Sequence, residues 1–185
     1  QMNKTFAATS QKYSTWRLFQ IVFIVSMIPD IGACDRDVMP EDEKLKTHLQ
    51  SMALLYFPTG GGKTEAFLGV LVFNLFFDRH RGKACGVTSI LRYPLRLLSV
   101  QQVQRLANIL AQAELIRRED PTIAQTECFS LGYFVGDNNT PNKMGAKEYA
   151  RYNDMTQAQR DEHRIIDVCP YCGKPTVHLR ADSTI

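Results

Sequence analysis

Leu54-Leu55-Tyr56-Phe57-Pro58-Thr59-Gly60-Gly61-Gly62-Lys63-Thr64-Glu65-Ala66-Phe67-Leu68 is the stretch on which the fold turns. Met52 to Phe57 is a continuous apolar run, the pattern of a strand buried on both faces of a parallel sheet. Three glycines follow, and the pattern predicts a helix opening at Lys63. Glycines at such a turn let backbone N–H groups approach a ligand without Cβ interference, and the helix N-terminus adds its positive dipole end. A phosphate chain is the ligand that chemistry suits. Lys63 can reach β- and γ-phosphates, and the Thr64 hydroxyl can ligate Mg²⁺.

Outward from that stretch the pattern repeats. Trp16 to Ile28 is predicted to be a helix, with Trp16, Phe19, Phe23 and Met27 on one face and Pro29 closing it. Its apolar run, Ile21 to Ile28, is too short to cross a bilayer. Gln1 to Thr15 is polar and expected to be loosely ordered. Asp30 to Glu43 is expected to be a loop and Asp42 to Gln50 a short helix. Lys63 to Phe77 and Leu97 to Arg118 carry helical patterns, the latter with Leu98, Val103, Leu106, Ile109, Leu110 and Ala113 as its core face. Ala84 to Leu91 and Glu127 to Val135 are expected to be further strands, and Lys147 to His163 an exposed helix. Alternating strands and helices predict an α/β fold, a three-layer parallel sheet with the glycine turn at the carboxyl end of its first strand.

The chain has 185 residues and a net charge of +3, so any nucleic-acid contact must come from local basic positions rather than from a polycationic whole. Five cysteines without regular spacing argue against a disulfide framework and fit a reducing cytoplasm. Cys34, Cys85 and Cys128 are expected to be buried apolar residues. Cys169-Pro170-Tyr171-Cys172-Gly173 has the form of a zinc knuckle, in which two thiolates hold one side of a tetrahedral Zn²⁺. It is half a site. His178 could add a third ligand, and His163 is a remote option. A redox Cys-x-x-Cys is the other reading, but that motif opens a helix in a βαβ setting.

Thr59-Gly60-Gly61-Gly62-Lys63-Thr64 meets the P-loop pattern except at its first position, where Phe57 replaces a glycine. Leu91-Arg92-Tyr93-Pro94-Leu95-Arg96-Leu97-Leu98-Ser99-Val100-Gln101 resembles motif Ia of superfamily 2 helicases, with Pro94, Arg96, Leu98 and Gln101 in place. Leu95 and Leu97 depart from it. At a strand end opening a helix, backbone N–H groups and an arginine can hold a nucleic-acid phosphate. Trp16-Arg17-Leu18-Phe19-Gln20 resembles the segment that places a glutamine against the adenine edge in many superfamily 2 proteins, with Leu18 in place of proline.

Taken in order, these motifs and the cysteine unit resemble the N-terminal RecA-like domain of the DISARM-type phage-defence helicase group. The resemblance runs from about Trp16 to Cys172. It implies residues 1–50 as a helical segment bearing the adenine-motif glutamine Gln20, 51–163 as a partial RecA-like nucleotide-binding domain, and 164–185 as half of a zinc ribbon inserted before the acidic Walker B pair. It implies ATP and Mg²⁺ at Thr59, Gly60, Gly61, Gly62, Lys63 and Thr64, with Lys63 and Thr64 catalytic. DNA would lie at Arg92, Arg96 and Gln101, and Zn²⁺ at Cys169 and Cys172. The implied partners are DNA, single strands included, the remainder of a helicase chain and defence-system subunits, with no membrane.

No acidic box follows an apolar strand, and no second motor domain is present to supply an arginine to the transferring phosphoryl group. The expectation is the N-terminal part of an ATP-driven motor, with the missing carboxylates and zinc ligands after Ile185. Such a part would bind ATP weakly and hydrolyse it negligibly. Two other classes stay open. One is a non-catalytic nucleotide- or nucleic-acid-binding fragment from a truncated reading frame. The other is a P-loop kinase or transport ATPase, which leaves Pro94 to Gln101 unexplained.

Overall fold

A computed structural model describes residues 1–9, 15–33, 52–56, 60–83, 85–93, 96–134, 145–156, 158–159 and 164–176; of residues 96–100, 148–149 and 152 it describes the backbone alone. The described elements are helices: α1 (Met2–Thr9), α2 (Leu18–Ala33), α3 (Lys63–His80), α4 (Arg96–Glu119) and α5 (Ala146–Asn153). The chain divides into two compact units. One comprises Gln1–Ile90 with Ala113–Cys128, and the other Leu91–Gln112 with Phe129–Ile185.

The described residues do not form the predicted parallel sheet. Among the described residues no strand forms, and the one β-type pairing is an isolated antiparallel bridge between Val168 and Pro175. The described residues of the three apolar segments read as strands carry no ladder. Met52, Leu54 and Tyr56 are each 90% exposed, whereas a central parallel strand is covered on both faces. Val87, Ile90 and Phe134 are exposed as well. An apolar run states that a segment suits burial. It cannot supply the neighbouring backbone whose N–H and C=O groups close a ladder. The RecA-like three-layer α/β architecture is therefore overturned, and the described chain is mostly helical.

The first unit is built on α3. Ala66, Leu68, Gly69, Leu71, Val72 and Phe76 are buried along it, and α1 and α2 both pack against it. The α2 contact is close because Gly69 has no side chain: a β-carbon there would lie 2.6 Å from Ile24 Cδ1 and 3.2 Å from Trp16 Cη2. Phe23 meets Phe67 edge-on at a ring-centroid distance of 5.4 Å. The inward face of α2 is centred on Gln20 and Ile24, one position round from the predicted Trp16, Phe19, Phe23 and Met27, which are half-buried at its edge. Pro29 does not close the helix, which runs on to Ala33. Pro29 lies on the exposed side, where water can satisfy the Val25 carbonyl that loses its donor.

The N-terminal segment is more ordered than its polarity suggests. Phe6 packs on Trp16 at 4.6 Å between ring centroids, Trp16 Nε1 donates to Asn3 Oδ1 at 2.9 Å, and Thr5 is fully buried. Cys85 and Cys128 are exposed rather than buried, since no described strand or sheet covers the segments that carry them, and Cys34 lies outside the described residues.

Two polar clusters finish this unit. Asp78, on the last turn of α3, is buried and accepts from Lys83 Nζ at 2.8 Å, Thr88 Oγ1 at 2.7 Å and Arg81 Nε at 2.9 Å. Burial alone would raise this carboxyl, but the bonds from Lys83 and Thr88, the Lys83 charge and the Arg81 bond outweigh it and hold Asp78 below the usual carboxylate range. Arg117, near the end of α4, forms a bidentate pair with Glu114 at 2.7 and 2.8 Å. Its Nη1 also donates to the carbonyls of Ile123, Ala124 and Thr126, so one guanidinium fixes the chain reversal after α4.

In the second unit the α4 positions Val103, Leu106, Ile109 and Leu110 are buried, as their spacing predicts; Ala113, the last of that predicted face, is buried in the first unit. The side chain of Leu98 and the proposed helix at 42–50 lie outside the described residues.

Candidate functional site: the glycine turn before α3

Gly60 and Gly62 both adopt positive φ, +80° and +90°, and Gly62 is the N-cap of α3. An L side chain rarely adopts that conformation, and Gly62 has a second constraint. A β-carbon there would lie 2.8 Å from Gln20 Nε2 and 3.5 Å from Glu65 Oε2, whereas one on Gly60 would meet nothing within 4 Å. The turn is therefore closed on its α2 side and open at Gly60. Gly62 offers no side-chain oxygen to cap the first turn of α3, which keeps that end suited to an outside anion. Lys63 and Thr64 follow on the first helical turn, both half-buried.

Two residues at the N-terminal end of α2 hold the turn, Arg17 just before it and Gln20 in its first turn. Arg17 Nη1 donates to the Gly61 carbonyl at 2.7 Å, and Gln20 Nε2 donates to the Gly62 carbonyl at 2.8 Å. Gln20 Oε1 accepts from Arg17 N at 2.8 Å. That last bond is half of a capping box, with Gln20 as the third residue of the helix reaching back to the backbone N–H that precedes it. The resemblance implies the Gln20 carboxamide at an adenine edge; in the structure the residue is 5% exposed and bonds from the start of α2 to the glycine turn.

Lys63, Thr64 and the three glycines are thus brought together at one helix end, with Gln20 behind them. Thr59 lies outside the described residues. Arg92, Arg96 and Gln101 belong to the second unit. Arg92 is exposed, Arg96 is the first residue of α4, and Gln101 is exposed on its second turn. Pro94 and Leu95 lie outside the described residues, as does the Arg96 side chain.

The cysteine pair forms a tight hairpin. Cys169 N donates to the Lys174 carbonyl at 2.8 Å and Gly173 N to the Cys169 carbonyl at 2.9 Å, with Gly173 at φ +69°. Hydrogen bonds from the backbone N–H groups of Cys172 and Tyr171, then from the Cys172 side chain, hold the Cys169 thiol below its ordinary range. Two sulfurs presented by a knuckle of this form suit one side of a tetrahedral metal. Among the described residues no three His, Cys, Asp or Glu side chains gather to complete one. His163 and His178 lie outside them. Gln104 anchors this hairpin to α4: its Nε2 donates to the Val168 carbonyl at 2.8 Å and its Oε1 accepts from Val168 N at 3.1 Å.

Sequence reasoning assigned no role to Arg17 or Gln104. Arginine is not an N-cap residue, so the three-residue spacing of Arg17 and Gln20 does not read as a capping box, and no local pattern marks the pair. Gln104 and Val168 are 64 residues apart, and no local pattern connects them.

The chain is similar to a DISARM protein. It shares 36% identity over 170 residues with DISARM protein DrmA of Bacillus paralicheniformis, a match that covers 85% of this chain and 14% of that relative. The chain spans about one seventh of the length of the relative it matches. No protein-family model matches it, and no solved structure matches it. Among the described residues no helix is long and apolar enough to cross a membrane.

Proposed function

We propose that this chain is the nucleotide-binding part of a DNA helicase or translocase acting in DISARM-type phage defence. The observation that carries the reading is the Gly60–Gly62 turn opening α3 with Lys63 and Thr64 on its first turn. A glycine turn, an uncapped helix start and a lysine at that start together suit a polyphosphate. In this reading Lys63 balances charge on the β- and γ-phosphates, and Thr64 turns its hydroxyl toward the metal that travels with the nucleotide. Mg²⁺ supplies charge neutralisation of the phosphate oxygens when bound. Arg96, at the start of α4, and the exposed Arg92 and Gln101 hold a DNA backbone. The defence role follows from the similarity to a DISARM protein, and DISARM subunits are the partners it implies.

Cys169 and Cys172 supply half of a structural zinc site. The hairpin geometry supports that role over a redox one, since the pair opens no helix.

Arg96→Ala against Lys63→Ala tests the motor reading. Lys63→Ala removes ATP binding and Arg96→Ala removes DNA affinity with ATP binding kept. DNA affinity unchanged in Arg96→Ala, with ATP binding lost in Lys63→Ala, favours the second reading, a nucleotide-binding module without a motor.

A further inference from the structure

Arg17 and Gln20 act on the glycine turn through its carbonyls, and the geometry decides where its amides point. All peptide bonds described are trans. In a planar trans peptide the N–H is antiparallel to the preceding C=O. The Gly61 carbonyl turns toward Arg17 and the Gly62 carbonyl toward Gln20, at 2.7 and 2.8 Å. The N–H groups of Gly62 and Lys63 are therefore directed away from α2. These are the amides a phosphate at the start of α3 would use.

The two clamping side chains are held differently. Gln20 is buried, and its Oε1 is fixed by Arg17 N, which leaves Nε2 facing Gly62. It sits where a Gly62 β-carbon would go, so the absence of that carbon lets the carboxamide reach the backbone. Arg17 is exposed and crosses to the turn with its Nη1 alone.

We infer that Arg17 and Gln20 are positioning residues for phosphate binding, a clamp at the N-terminal end of α2 that sets the Gly62 and Lys63 amides without touching the ligand. The inference rests on the phosphate reading of the turn and deepens it. It also gives Gln20 a task that does not depend on the base. A glutamine that reads adenine affects ATP and leaves a bare polyphosphate alone. A glutamine that sets the turn affects both by the same factor.

The test is calorimetric titration of the full chain with sodium tripolyphosphate and, separately, with ATP, both with Mg²⁺. The variants are Arg17→Ala, Arg17→Lys, Gln20→Ala and Gln20→Glu. The expected result is a loss of about tenfold in affinity for both ligands in Arg17→Ala and Gln20→Ala, the upper scale of one ordinary hydrogen bond. Arg17→Lys restores binding because it still donates. Gln20→Glu does not, because a carboxylate cannot donate to the Gly62 carbonyl. A structural role alone would not follow donor capacity in this way. Arg17 is exposed, so its variants carry the test if Gln20→Ala does not fold. Tripolyphosphate bound equally by wild type and Arg17→Ala overturns the clamp while leaving the phosphate reading intact. Loss of ATP but not tripolyphosphate affinity in Gln20→Ala overturns it in favour of base contact. A wild-type chain that binds neither ligand overturns the phosphate reading itself, and the clamp with it.

Discussion

A β-carbon on Gly69 would lie 2.6 Å from the Cδ1 of Ile24, closer than real β-carbons approach any neighbour. This contact sets the distance between α2 and α3. Since Arg17 and Gln20 sit at the start of α2 and the glycine turn at the start of α3, it also sets the reach of the clamp. Gly69→Ala gains helix propensity of about 1 kcal/mol and pays for it in overpacking of about 1–3 kcal/mol, so the net change is destabilising. Denaturant unfolding is the measurement. Ile24→Ala in the same chain opens space for the new methyl and is expected to make the second substitution cost less than it does alone.

The Asp78 cluster predicts an acid limb in stability. Its carboxyl lies below the usual carboxylate range in the folded chain, so the unfolded state binds the proton more readily. The sign is fixed: the contribution is fully present above the unfolded value of about 3.9 and is lost as pH falls through the lower folded value. Asp78→Asn removes that limb and weakens the bonds to Lys83 and Arg81, at a cost of about 2 kcal/mol near neutral pH. Unfolding free energies measured from pH 7 down to pH 2 check both statements.

Glu114 and Arg117 are a buried pair, with side-chain exposures of 4% and 5%. Glu114 also accepts from Arg118 Nε at 2.8 Å, so loss of Arg117 leaves it an exposed partner and the cost falls toward the lower end of the roughly 3–5 kcal/mol of a broken buried pair. Arg117→Met is the more damaging change, because it also abandons the carbonyls of Ile123, Ala124 and Thr126. Glu114→Gln keeps acceptor and shape and should cost less. Thermal unfolding of the two variants compares them directly.

The helices were legible in the sequence because their signals are local. Lys63 to His80 opens after three glycines, and Arg96 to Glu119 carries Val103, Leu106, Ile109 and Leu110 at helical spacing. The sheet was misread because its signal is not local: Met52, Leu54 and Tyr56 have the composition of a strand, and whether a strand pairs is decided by distant backbone. The glycine turn was visible as a motif, but its contact with Arg17 crosses 44 residues and that with Gln20 crosses 42. Cys85 and Cys128 were misplaced for the same reason as the strands that carry them.

The most direct test of the account is equilibrium binding of Mg²⁺–ATP to the chain and to Lys63→Ala, with circular dichroism confirming that both are folded. One saturable site in the parent chain, lost in Lys63→Ala, is the predicted result. No saturable binding in the parent, or equal affinity in the two proteins, contradicts it.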